Sequence, residues 1–148
     1  MTTAELFKVT LGVQSGDSIS GNTVEPYFMG LRRLLRDKCN HDYGSVIKEF
    51  AFVLRIDGSI YHWEKHGCDY LRLQKKSGYA TVDVFMPLEV WQGADDKKLK
   101  EFFVTQFSEG FRLMLERTLK AGIAIDDKKL RADFNLAIDE FQNSKLAK

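Results

Sequence analysis

Cysteine and proline are scarce in this chain, with two of each among 148 residues. Cys39 and Cys68 are too few for a disulfide framework, and a domain of this length buries an adequate core without one, which points to a reducing cytoplasm. An excess of one charge is also missing: 22 Lys and Arg stand against 21 Asp and Glu, leaving a net charge of +1. That excludes a nucleic-acid binder acting through bulk charge. Long apolar runs are absent. The stretch Phe50 to Leu54 falls far short of the roughly 20 residues that span a bilayer. Met1 to Val13 carries Glu5 and Lys8 among its apolar residues, without the basic-then-apolar order of a signal peptide. No Gly-x-Ser-x-Gly elbow, P-loop or Gly-x-Gly-x-x-Gly run occurs, so neither a strained nucleophile nor a phosphate cradle is legible.

What is present is enough for one core. With 44% hydrophobic and 29% charged residues, the composition is that of a globular chain, and residues 1–148 read as a single α+β domain. Phe7, Val9, Leu11 and Val13 alternate with Lys8, Thr10 and Gly12, the period of a strand. A polar loop, Ser15 to Asn22, follows. Pro26 suits the first turn of a helix that carries Tyr27, Phe28, Leu31, Leu34 and Leu35 on one face and Arg32, Arg33 and Arg36 on the other. Phe50 to Ile56, Ile60 to Trp63, Tyr70 to Gln74 and Tyr79 to Met86 read as a four-strand meander. Asp57-Gly58, Glu64 to Gly67 and Lys75 to Gly78 supply its turns, and Pro87 ends the sheet.

From about Asp95 the period becomes helical, with Leu99, Phe103, Phe107, Phe111, Met114 and Leu115 on one stripe. Gly122 stops this helix, and Asp126 or Asp127 caps another that turns Leu130, Phe134, Ala137, Ile138 and Phe141 inward. The expected architecture is a largely antiparallel five-stranded sheet with one early helix and two C-terminal helices packed mainly on one face.

Three groups of side chains could carry chemistry. His62, His66 and Cys68, with Cys39 and His41 as further donors, raise a metal site and with it a metal-dependent hydrolase. Gly58 and Gly67, however, put them on strand and turn, where the His-x3-His spacing brings nothing together, so no metal or cofactor is expected. Arg32, Arg33, Arg36 and Lys38 on one helix raise RNA binding, although surface Arg ordinarily forms a solvated face whose stems cover apolar neighbours. The third group is on the sheet. If the helices cover Leu71, Leu73, Val82, Val84 and Met86, the opposite face presents Tyr70, Arg72, Asp83 and Phe85, joined by Arg55, Tyr61 and Trp63. Aromatic and Arg side chains of that kind concentrate at protein–protein interfaces.

The run Ile47-Lys48-Glu49-Phe50-Ala51-Phe52-Val53-Leu54-Arg55-Ile56-Asp57-Gly58, then Tyr61-His62-Trp63, then Gly67-Cys68-Asp69-Tyr70-Leu71-Arg72-Leu73, and then Tyr79-Ala80-Thr81-Val82-Asp83-Val84 with Pro87, resembles bacterial immunity proteins of polymorphic-toxin and contact-dependent inhibition systems. The resemblance implies a small cytoplasmic protein that binds the toxic C-terminal domain of a cognate toxin, a nuclease among the candidates, and blocks its active site without catalysis of its own. Immunity proteins against nucleases are often acidic, whereas this chain is neutral. The resemblance assigns no interface, so the binding residues expected are those of the open sheet face: Arg55, Tyr61, Trp63, Tyr70, Arg72 and Asp83. A monomer or weak homodimer is expected.

Overall fold

A strand, a helix and a second strand in succession form a crossover unit, and a crossover returns the chain alongside its first strand in the same direction. The computed structural model, which describes residues 6–12, 21–56, 71–86 and 95–144, begins with such a unit. Strand β1 (Phe7–Gly12), helix α1 (Gly21–Lys38) and strand β2 (Glu49–Ile56) place β1 and β2 parallel, with Phe7 opposite Phe50 and Gly12 opposite Arg55. Strands β3 (Leu71–Gln74) and β4 (Tyr79–Met86) form a hairpin, in which Leu71 faces Val82 and Gln74 faces Tyr79. Helices α2 (Asp96–Lys120) and α3 (Asp127–Asn143) complete the described chain.

The sheet corrects the expected topology. Among the described residues it has four strands in the order β1-β2-β4-β3, two of its three pairings being parallel, and not five largely antiparallel strands. β4 lies beside β2, from Glu49 opposite Tyr79 to Ile56 opposite Met86, in the place a meander would give to Ile60–Trp63. That segment and the Asp57-Gly58 turn fall outside the described residues. A strand flanked on both sides by parallel neighbours is read as a near-continuous apolar run, and the uninterrupted Phe50 to Leu54 is one. Alternation reports which face a residue takes; it is silent about which strand lies next door.

Helix α1 also differs from its expected start. It begins at Gly21, so the last residues of the polar loop are helical and Pro26 lies inside the helix. There the ring removes one ladder bond, to the Asn22 carbonyl, and the helix runs on. The later boundaries follow their sequence signals. Asp95 caps α2 by accepting from the Lys98 amide at 2.9 Å, and Asp126 caps α3 by accepting from Lys129 at 3.2 Å. Gly122, at φ +76°, takes the left-handed turn after α2, a conformation glycine adopts without a Cβ clash.

All three helices pack over the sheet face that carries Phe7, Val9, Phe50, Phe52, Leu54, Val82 and Val84, every one of them buried. Aromatic rings join the layers. Phe52 stacks on Phe107 of α2 with centroids 4.8 Å apart, and Phe111 of α2 stacks on Phe134 of α3 at 4.1 Å. Gly110 brings α2 close to the sheet: a Cβ there would stand 3.1 Å from Val82 Cγ1 and 3.3 Å from Phe52 Cε1.

Candidate partner-binding surface

The strand register decides which polar side chains meet on the other face. Glu49, Ala51, Val53 and Arg55 of β2 run beside Tyr79, Thr81, Asp83 and Phe85 of β4, and β3 sets Gln74 opposite Tyr79 and Arg72 opposite Thr81. Asp83, on the central strand of these three, is thereby within reach of an arginine from each neighbour. Arg72 donates to both its carboxylate oxygens, Nη1 to Oδ2 at 3.1 Å and Nη2 to Oδ1 at 3.2 Å. Arg55 Nε stands 3.6 Å from Oδ1.

Three of the six residues expected at the interface are thus brought together, with one change. Asp83 is on the expected face, but its side chain is 0% exposed; it is the buried centre of an ion cluster and presents no open carboxylate. A buried carboxylate persists when hydrogen-bonded countercharges surround it, and the bidentate Arg72 fork provides them. The arginines reach solvent, with side chains 28% exposed for Arg55 and 35% for Arg72. Beside them an open groove of about 340 Å³ is lined by Glu49, Arg72, Gln74, Tyr79 and Thr81. The other three expected residues, Tyr61, Trp63 and Tyr70, lie outside the described residues, as do His62, His66 and Cys68. Among the described residues no group of His, Cys, Asp and Glu is placed to hold a metal ion.

A second polar cluster has no counterpart in the sequence reading. Asp133 of α3 accepts a hydrogen bond from the Tyr43 hydroxyl at 2.6 Å and pairs with His41 Nδ1 at 2.9 Å through the same Oδ2. This ties the connection between α1 and β2 to the last helix. The connection is held elsewhere by the Asp126 amide donating to the Tyr43 carbonyl and by the Lys48 amide donating to Gly78, both at 2.7 Å. Gly78 sits at φ +77°, where a Cβ would fall 2.5 Å from the Val46 carbonyl. The sequence carried one signal for Asp133: it shares the buried stripe of α3 with Leu130, Phe134 and Ala137, and a carboxylate on such a stripe requires a partner.

Cys39 and His41 are adjacent in sequence but serve different ends. His41 turns to Asp133, while Cys39 is buried, and burial followed by the nearby Asp133 charge pushes its thiol up to about 12. Burial and the bond to Asp133 likewise push the Tyr43 hydroxyl upward. A thiol that holds its proton this firmly is a poor nucleophile and a poor metal ligand. A cleft of about 430 Å³ opens over this cluster, with Leu6, Ile47 and Ile125 among its apolar walls and Lys48 among its polar ones.

The basic face of α1 is mixed with acid. Lys38 pairs with Glu140 of α3 at 3.1 Å, and Arg36 lies 3.6 Å from Asp37. No helix among the described residues is long and apolar enough to cross a membrane.

Comparison with known proteins adds one finding. A family model described as immunity protein 44 matches residues 13–140, from the end of β1 into the last turns of α3. No curated protein and no solved structure matches the chain.

Proposed function

The chain belongs to the immunity protein 44 family, and on that footing we propose that it neutralises a toxin by binding the cognate toxic C-terminal domain and covering its active site. It does so in the cytoplasm as a monomer or weak homodimer, within a polymorphic-toxin or contact-dependent inhibition system, and it performs no reaction itself. The binding surface is the sheet face opposite the three helices, where Arg55 and Arg72 are contact residues positioned by the buried Asp83, and Tyr61, Trp63 and Tyr70 are further contact residues.

The observation that carries this reading is the convergence of Arg55, Arg72 and Asp83 from three adjacent strands on one face. Side chains fixed by strands and by one another present a partner with a preorganised surface, which lowers the ordering cost of binding. The test is co-expression with the toxin domain encoded beside this gene. Protection of cells and co-purification of the two chains are expected; a toxin domain that kills in its presence and elutes alone removes the reading.

A further inference from the structure

We propose that the end of the sheet where the α1–β2 connection, the β3–β4 turn and the α2–α3 junction meet is a second contact surface for the toxin domain, one that takes an apolar side chain flanked by carboxylates; this rests on the toxin-binding reading above. The three segments are tied to one another. The Lys48 and Glu49 amides donate to the Gly78 carbonyl at 2.7 and 3.2 Å, the Asp126 amide donates to the Tyr43 carbonyl at 2.7 Å, and Lys75 Nζ donates to the Ala121 carbonyl at 3.3 Å. Gly78 also closes on the Val46 carbonyl, leaving no room for a Cβ. Connections braced in this way present binding residues at little ordering cost.

Val46 is 63% exposed at this end and lines an open groove of about 440 Å³ with Lys75, Ile123 and Ala124. A single exposed aliphatic side chain is ordinary; here cations surround it. Lys48, Lys75, Lys76, Arg117 and Lys120 on the three segments are exposed, and among the described residues none of them is in an ion pair. The acids of the same segments are fewer and engaged: Asp42 accepts from the Gly44 amide at 2.8 Å, Asp126 caps α3, and Glu49 has an interaction of its own. The start of α3 adds Lys128 and Lys129, while its Asp127 lies 3.6 Å from Arg131. A net charge of +1 over the whole chain therefore conceals a basic end, and a partner that covers Val46 sets carboxylates against these ammonium groups. The surface is continuous with the proposed sheet-face interface, because Tyr79, next to Gly78, is 40% exposed and lines the groove that holds Gln74 and Arg72. A polyanion such as RNA is less well matched: the described lining of the Val46 groove has no aromatic ring on which a base could stack, and Asp42 stands in its wall.

The experiment is calorimetric titration of the full chain with the toxin domain encoded beside it, at about 0.05 M and about 0.5 M salt, a range that spans weak and strong screening. Val46→Asp and Lys75→Glu, both at exposed positions, are compared with wild type, and far-ultraviolet circular dichroism establishes that each is folded. Expected are a loss of affinity of about tenfold or more in each variant at low salt and a smaller deficit of Lys75→Glu at high salt. Wild-type affinity in either folded variant overturns the second surface and leaves toxin binding standing. Tighter binding by Lys75→Glu assigns a basic partner surface and overturns it as well. Absence of binding by the wild-type chain overturns both readings. Binding of a polyuridine oligonucleotide that is lost in Lys75→Glu assigns this end to phosphate and likewise overturns the proposal.

Discussion

Tyr43 and Asp133, 90 residues apart, meet in a 2.6 Å hydrogen bond that fastens the connection between α1 and β2 to α3. Tyr43→Phe deletes this donor and leaves the buried carboxylate with His41 alone among the partners seen here. The expected cost is about 1–3 kcal/mol of stability, the range for a buried acceptor deprived of its partner. Urea unfolding of the variant against wild type measures it; a difference below a few tenths would mean that water replaces the hydroxyl freely.

Asp83→Ala leaves Arg55 and Arg72 facing each other without their shared anion. Removing one member of a buried pair typically costs about 3–5 kcal/mol. Both arginine side chains are partly exposed here, which offsets part of that cost, so about 1–3 kcal/mol is expected. Adding Arg55→Met to Asp83→Ala should recover part of the loss by relieving the repulsion, as a double-mutant cycle in urea would show.

Gly110→Ala sets two effects against each other. The helix gains about 1 kcal/mol of propensity, while the new Cβ stands 3.1 Å from Val82 Cγ1 and 3.3 Å from the Phe52 ring, and overpacking of that kind costs about 1–3 kcal/mol. A net destabilisation is expected, smaller in a Val82→Ala background where the clashing methyl is gone. Equal effects in both backgrounds would place the strain elsewhere.

Stability should fall in alkali. Burial, then the Asp96 carboxylate that accepts its hydrogen bond at 2.8 Å, raises Tyr27 from 10.0 to about 12. Burial foremost raises Cys39 from 9.0 to about 12, and Tyr43 moves the same way. Each group keeps its proton in the fold after the unfolded chain has released it. The folded state therefore binds more protons in this window, and stability declines as pH rises. The contribution is complete below about pH 9 and is lost on the way to about 12. Unfolding midpoints taken from pH 8 upward should drop, and Tyr27→Phe should drop less steeply above pH 10; identical slopes would remove Tyr27 from the account.

Trp63 is the aromatic anchor that the sheet-face reading favours. Its truncation to Ala should weaken toxin binding by about 2 kcal/mol or more, the range of an interface hot spot, and cost less than about 1 kcal/mol of stability. A core tryptophan behaves in the opposite way, losing about 3–5 kcal/mol of stability on truncation. A binding titration and a thermal melt on the same variant separate the two.

Much of this protein is local and therefore present in the sequence. The helical stripe from Leu99 to Leu115, the Asp126 cap and the Gly122 stop depend on neighbours within a turn or two. The assignment of Leu71, Val82 and Val84 to the helix side, and of Arg55, Arg72 and Asp83 to the other, depends on a period of two that every strand carries for itself. Strand order is not local. In a meander β4 would stand well away from β2, and Arg55 could not reach Asp83; in the folded protein β4 inserts between β2 and β3, because β2 is buried most fully with a parallel partner on each side. That insertion sets Asp83 between two arginines and closes water off from its carboxylate. Residue type and alternation determine that three charged side chains share a face, and tertiary packing alone decides that they form one buried cluster.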